Sequence, residues 1–459
     1  MDTTKTNNQR TKRIGWIISI SLFWISIIFS SCHKQPEIEV IQYQVNDTVY
    51  IYTNGENGNL HIQNTGTVSF EYSITTSTDA ITLSTREGLL LADDGIDISV
   101  TVSNTQLFNE SNPELYIAID NTIDTVQVMM ERKQLLNKDI IDLEYSKANN
   151  SLVYVTTDCM LNIYHIDTRI IDEIPLFFSP LCVSVSPNGA KAAVGHDAHV
   201  SYVDLLTKEV ILTNDIACEA YDIVLSDQEW AYVSPKNAQW ERIHCLDLSV
   251  PNSIEVLSTG GSVYGNSKLR LHPSSDYLYV VDGSSILKFD IHTGLATCLL
   301  DSSITTGGDF WLSEDGYRLF AAYGKVYKTS TTPSVDMTYN GTISFIDASL
   351  YNYNYPIVWL DHSQTNHALY IVYNTFSSGF DEPPHLPFVY IHNYDNLIYQ
   401  NKIKLEPYFM VGDSGVTTLI DAKPVYVFAN DNGGEIYVIT KAYGSAMDSS
   451  WAFQTIKTN

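Results

Sequence analysis

Between residues 40 and 132 apolar and polar residues alternate with a period of two, in short runs broken by Asn, Gly and Asp. Thr48-Val49-Tyr50-Ile51-Tyr52, Gly58-Asn59-Leu60-His61-Ile62 and Val68-Ser69-Phe70-Glu71-Tyr72-Ser73-Ile74 come first, followed by runs at 98–102, 115–119 and 125–129. Each side chain in a strand points to the face opposite its neighbours, so this alternation predicts strands with one buried face. Short strands at this spacing, with turn residues between them, predict an immunoglobulin-like β-sandwich of roughly a hundred residues.

From residue 138 to 459 the pattern becomes a repeat. An apolar strand ends near a Ser, His or Asp, a polar turn follows, and a second strand rich in Tyr, Val and Ala comes next. Anchors at Tyr145, Val185, Leu225, Leu271, Leu312, Leu360 and Ile420 are separated by 40, 40, 46, 41, 48 and 60 residues. A period of forty-odd residues built from strands alone predicts propeller blades, and seven copies predict seven of them. Asp167, Asp204, Asp247 and Asp290 follow third strands, where a carboxylate can cap the tight turn to a fourth. Trp451–Lys457 reads as the outer strand of the last blade, which would close the ring without a strand from the N-terminal side. Trp311 and Trp359 are expected on inner strands. The predicted fold class is therefore all-β, with a sandwich at 40–132 followed by a seven-bladed β-propeller at 138–459.

The first residues follow a different pattern. Lys5, Arg10, Lys12 and Arg13 precede an apolar run from Ile14 to Phe29 that ends in Ser30-Ser31-Cys32. A basic start, an apolar stretch and small residues before a cleavage point describe a signal peptide over residues 1–31. Residues 32–39 then form a tether.

Three resemblances bear on these segments. Phe29-Ser30-Ser31-Cys32 resembles a bacterial lipobox, which implies that Cys32 is the lipidated first residue of an exported lipoprotein, held at the outer membrane and facing the cell surface. Leu60–Gly66, Ile81–Gly88 and Ile98–Val102 together resemble the BACON domain, a Bacteroidetes module; Ala80-Ile81 stands where that family usually has Trp, so the module is read here as a spacer. The Asp-containing strand ends, with Ser186-Pro187-Asn188-Gly189 and Ser313-Glu314-Asp315-Gly316, resemble YVTN and WD-repeat propellers over about 320 residues, which implies a fold and no particular activity.

Composition narrows the choices. With 26 Lys+Arg against 53 Asp+Glu the net charge is −27, and removal of residues 1–31 leaves −30. A chain so acidic lacks the clustered positive charge that nucleic acid requires. It also leaves membrane attachment to acyl chains rather than to basic patches. Cys159, Cys182, Cys218, Cys245 and Cys298 have neither CxxC nor zinc-like spacing and read mainly as small buried hydrophobes, although an export compartment permits a disulfide.

The chain contains no GxSxG elbow, P-loop, HExxH or Rossmann fingerprint, and no cofactor or metal is expected. His196-Asp197-Ala198-His199, His362 and His367 read as solvated turn residues. The strongest chemical signal is aromatic. Tyr351, Tyr353 and Tyr355 enter blade six, Phe376 and Phe380 lie in a long insertion within it beside Asp381, Glu382 and His385, and Tyr408 leads into blade seven. Propeller resemblance puts these three loops on one face, and long aromatic loops tend to be functional. Two functions follow: a cell-envelope lipoprotein that binds a glycan or protein ligand through this face, or a propeller-type polysaccharide lyase or hydrolase with its site at the channel mouth.

Overall fold

A computed structural model describes residues 41–51, 58–102, 113–130, 133–136, 138–237, 239–344, 356–374, 387–411, 417–443 and 451–458. Every regular element among them is a strand, and the chain divides into two units.

The first unit lies within residues 41–130 and also takes in Phe409–Thr418. One sheet runs in the order Tyr43–Val45, Gly58–Asn64, Gly95–Val102, Ile81–Leu83. The other runs Thr48–Ile51, Thr122–Met130, Glu114–Ile119, Phe70–Thr76, Glu87–Leu90. Burial alternates along Phe70–Thr76 as the sequence pattern requires, with Phe70, Tyr72 and Ile74 inside. Leu60, Ile62, Ile98 and Val100 of the first sheet share one core with Tyr72, Ile74, Leu115, Ile117 and Val126 of the second. Phe409 sets its ring edge-on against Tyr50 in this unit, with centroids 5.3 Å apart.

The second unit holds seven groups of four antiparallel strands, blades I to VII. Blade I is Ile140–Ser146, Ser151–Thr156, Met160–His165 and Ile170–Pro175. Blade II is Cys182–Val185, Lys191–Gly195, Asp197–Asp204 and the first part of Glu209–Leu225. The second part of that long strand opens blade III, which continues with Trp230–Pro235, His244–Asp247 and Val256–Leu257. Blade IV is Lys268–Leu271, Tyr277–Val281, Ile286–Asp290 and Thr297–Ser302, and blade V is Phe310–Leu312, Arg318–Ala321, Lys325–Lys328 and Tyr339–Thr342. Blade VI is Ile357–Ser363, Ala368–Tyr373, Phe388–Asn393 and Tyr399–Lys404.

Blade VII corrects the sequence reading twice. Its inner strand is Ala422–Ala429, followed by Glu435–Ala442 and Trp451–Lys457, so the anchor at Ile420 belongs to a separate two-stranded pairing. Trp451–Lys457 is its third strand rather than its outer one. The outer place is filled by Gln134–Leu136, which pairs antiparallel through Leu136 with Trp451 and Gln134 with Phe453. The ring is thus closed by a strand from the N-terminal side. That pairing satisfies an edge that would otherwise be left open.

Packing explains why the second strands read as continuous apolar runs. Each blade is covered by a neighbour on both faces, and Ser151–Thr156 and Ala368–Tyr373 are buried throughout. One apolar cluster fills each junction between successive blades, from blades I and II around to blades VI and VII. The seventh joins Phe428, Tyr437, Trp451 and Phe453 of blade VII to Leu143, Leu152, Tyr154 and Tyr164 of blade I. The anticipated turn caps are present: Asp204 accepts Leu206 N and Thr207 N at 2.9 Å, Asp247 accepts Ser249 N and Asp290 accepts His292 N. Asp167 differs, accepting the Asn150 side-chain amide at 2.7 Å.

Candidate functional site

The first strand of each blade faces the axis and has no strand on that side. Its outward N–H groups therefore need other acceptors. Side chains one blade earlier supply them. Asp142 accepts Val183 N at 2.9 Å and Glu144 accepts Val185 N at 2.6 Å; Ser184 accepts Leu225 N at 3.1 Å. Asp222 accepts Leu269 N at 2.8 Å, and Asp361 accepts Ala429 N at 2.7 Å. These bonds link the inner strands of blades I to II, II to III, III to IV and VI to VII.

Cations balance part of this acidity. Arg270 reaches Asp222 at 3.5 Å and Asp309 at 3.2 Å, with its guanidinium 5.6 Å from the Trp359 ring centroid. Lys268 lies 3.9 Å from Asp222. Burial works against the Lys268 ammonium, but Asp222, Asp309 and Asp142 more than offset it and keep it protonated. Trp311 and Trp359 stand on inner strands as expected, 6.2 Å apart edge to face, and Trp359 continues onto Tyr426. Desolvation pushes Asp142 and Asp361 above the usual carboxylate range and Glu144 up to about 7, against the opposing bonds from Val185 N and Ser184. The axis thus brings together acids, cations and rings from several blades, and Asp142, Glu144, Asp222 and Asp361 are already acceptors for the neighbouring strand.

The loop face shows a second arrangement. In blade VI, Ile357 pairs with Tyr373 and Phe388 with Lys404, which places the stems of the loop entering the blade, the insertion within it and the loop leaving it at one end. Asn374 N donates to Pro356 O at 2.9 Å and Leu405 N to Pro387 O at 2.8 Å, tying these stems side by side. Tyr351, Tyr353, Tyr355, Phe376, Phe380, Asp381, Glu382 and His385 lie outside the described residues, as does Cys32.

Tyr408 is described, and it is not a face residue. It is 1 % exposed, its hydroxyl bonds Thr440 at 2.9 Å and the Lys133 ammonium sits 4.5 Å from its ring centroid. Two histidine readings also change. His196 is fully buried, with Ser179 O at 3.0 Å and Ser201 Oγ at 2.9 Å. His362 is buried, receives Glu314 N on Nδ1 at 3.0 Å and is pushed down to about 4 by desolvation. Both rings serve as packed hydrogen-bonding groups, whereas His367 is exposed as expected. The described cysteines, Cys159, Cys182, Cys218, Cys245 and Cys298, are free thiols, and no metal-binding group of His, Cys, Asp and Glu occurs among the described residues.

Comparison with solved structures gives the architecture a name. The β-propeller domain of Cps50 (Swd1) from Myceliophteria thermophila superposes with a TM-score of 0.51 at 10% identity, over 70% of this chain and 98% of that one. The fold is a β-propeller. Hydrazine synthase from Kuenenia stuttgartiensis matches with a TM-score of 0.50 at 15% identity, over 70% of this chain and 96% of that one. No family model and no curated protein matches the sequence. At these identities the likeness carries the β-propeller fold and nothing about chemistry.

The axial acceptors were missed by motif reading because each partner lies one repeat downstream. The signal was present: Asp142 and Val183, Glu144 and Val185, and Ser184 and Leu225 are each 41 residues apart. An acid or hydroxyl recurring on inner strands at the blade spacing is the pattern to look for.

Proposed function

We propose that the protein is an exported, lipid-anchored cell-envelope binding module that takes a glycan or protein ligand on the loop face of its β-propeller. Cys32 would carry the acyl chains, and the N-terminal two-sheet unit, read as a BACON-like immunoglobulin-type sandwich, would act as a spacer. The observation that carries the reading is the tying of loop stems at one end of blade VI, through Asn374 N to Pro356 O and Leu405 N to Pro387 O. Those stems bracket the sequence's densest run of aromatic residues. Tyr351, Tyr353, Tyr355, Phe376 and Phe380 would supply apolar faces for sugar C–H groups or for a partner's side chains, with Asp381, Glu382 and His385 as polar companions. Tyr408 leaves this set because its ring is enclosed.

The lyase or hydrolase alternative would draw on convergent acids and bases at the axis. There, Asp142, Glu144, Asp222 and Asp361 already accept backbone N–H groups, which favours a structural use of these carboxylates. A glycan and protein binding screen of the full chain, repeated with Tyr353→Ala and Phe380→Ala, tests the proposal. Each substitution is expected to weaken binding by about 1 kcal/mol or more, with the melting temperature held. A large stability loss without any ligand would overturn it.

A further inference from the structure

Seven copies of one blade provide an internal control, and blade IV departs from the others at one register. The third residue of each second strand pairs with a third-strand residue that is Ile163, Tyr202, Cys245, Val326, Ile391 or Thr455 in the other blades. In blade IV, Tyr279 pairs with Lys288. This lysine is 3 % exposed, with its ammonium 2.7 Å from Ser330 O and 2.9 Å from Asp336 of blade V, and 4.2 Å from the Tyr277 ring centroid. A buried ion pair is a poor substitute for apolar packing as a source of stability, so its presence at a register without charge elsewhere asks for another reason.

Tyr279 is the second departure. Tyr232 holds the same position in blade III and donates to Gly294 O at 2.6 Å; Tyr370 in blade VI receives the Asn366 amide at 3.0 Å, and Tyr437 in blade VII is met by Asn150 and Asn430. The Tyr279 hydroxyl is buried and has no partner. A cleft of about 720 Å³ opens beside it between blades IV and V, lined by both Tyr279 and Lys288. That volume lies in the range of small-molecule sites, roughly 300–1,000 Å³. The lining turns join first to second strands and third to fourth strands, so the cleft lies at the opposite end of the strands from the blade VI loop stems.

The chemistry of the lining is unusual for so acidic a chain. Lys288, Arg318 and Lys328 meet one lining carboxylate, Asp315, with Asp336 behind Lys288, and Arg318 also donates to Tyr394 O and Asp395 O. The surplus is one positive charge. Tyr317 is 70 % exposed and offers a ring beside these cations, and Asn340 adds a side-chain amide. Gly316, at φ +71°, lets the turn pass close to His272, where a Cβ would come within 2.7 Å of Nε2.

We propose that this cleft is a second binding site, for a uronate sugar of an acidic glycan. Lys328 and Arg318 take the single carboxylate, the Tyr317 ring packs against the sugar's C–H face, and the Tyr279 hydroxyl supplies a hydrogen bond at the floor. One surplus charge suits a carboxylate better than a doubly charged phosphate. The test is calorimetric titration of the full chain with a galacturonate trimer, the matching neutral galactose trimer and inorganic phosphate. The galacturonate trimer is expected to bind at least tenfold more tightly than either control. Lys328→Glu, at an exposed side chain, weakens it at least tenfold. Tyr279→Phe weakens it with an unchanged or higher melting temperature, and replacement of residues 375–386 leaves it unaltered. Failure of the wild-type chain to bind the trimer, equal binding of phosphate, or unchanged binding by Lys328→Glu would overturn the proposal.

Discussion

Replacing Glu144 by Gln is expected to stabilise the protein at high pH and leave it unchanged in mild acid. Glu144 sits on the inner strand of blade I, part-exposed at the axis, and its carboxylate accepts Val185 N at 2.6 Å. Desolvation, aided by the Asp142 carboxylate, raises its pKa from 4.5 to about 7. Because the folded-state pKa lies above the unfolded one, the folded protein holds the extra proton between about 4.5 and 7. Its contribution is therefore most favourable below 4.5, declines as pH rises through that window, and levels off above 7. A displacement of this size corresponds to about 3 kcal/mol as an upper figure, and partial exposure reduces the working expectation to about 1–2 kcal/mol. Gln keeps a carbonyl oxygen for Val185 N and removes the charge. Urea unfolding of both proteins at pH 4.5 and pH 8 measures the difference. Equal stability at pH 4.5 and a gain of about 1–2 kcal/mol for the variant at pH 8 is expected. A loss at pH 8 would show that the ionised carboxylate is a net contributor and would refute the reasoning.

Three further outcomes are expected. Leu136→Ala, at the strand that closes the ring, should cost about 2–5 kcal/mol in denaturant unfolding, because Leu136 is 1 % exposed and packs with Trp451 and Phe453; a cost below about 1 kcal/mol would count against closure through this strand. Tyr408→Phe should lower stability by about 1 kcal/mol through loss of the Thr440 bond, while leaving any loop-face binding intact. Cys32→Ser should release the protein from the membrane fraction or leave the precursor unprocessed; unchanged membrane recovery with normal processing would argue against the lipid anchor.

Much of the fold was legible because the repeat is carried by strands buried on both faces. Leu152–Val155, Leu278–Val280 and Leu369–Ile371 stand out as apolar runs at the blade spacing for that reason. Blade VII was read one strand early, since Thr418–Asp421 imitates the end of an inner strand while Val425–Phe428 imitates a second strand. Only pairing shows that Ala422–Ala429 is itself the inner strand. The closing strand Gln134–Leu136 is too short to show a period, and its partner lies at the far end of the chain. The histidines were misplaced for a related reason: His196 and His362 sit at strand ends whose burial comes from neighbouring segments. At the candidate site, local patterns show aromatic residues gathering around blade VI but not which rings are enclosed. Tyr408 became interpretable only with Thr440 and Lys133 around it.

The most direct test of the binding account is to replace residues 375–386 with a Gly/Ser segment of equal length and compare full-chain proteins by ligand binding and thermal unfolding. The stems at Asn374–Pro356 and Leu405–Pro387 remain in the replaced protein, so its blade should stay closed. The account predicts loss of binding to the glycan or protein ligand found for the wild type, with the melting temperature unchanged. Undiminished binding by the replaced protein would contradict it.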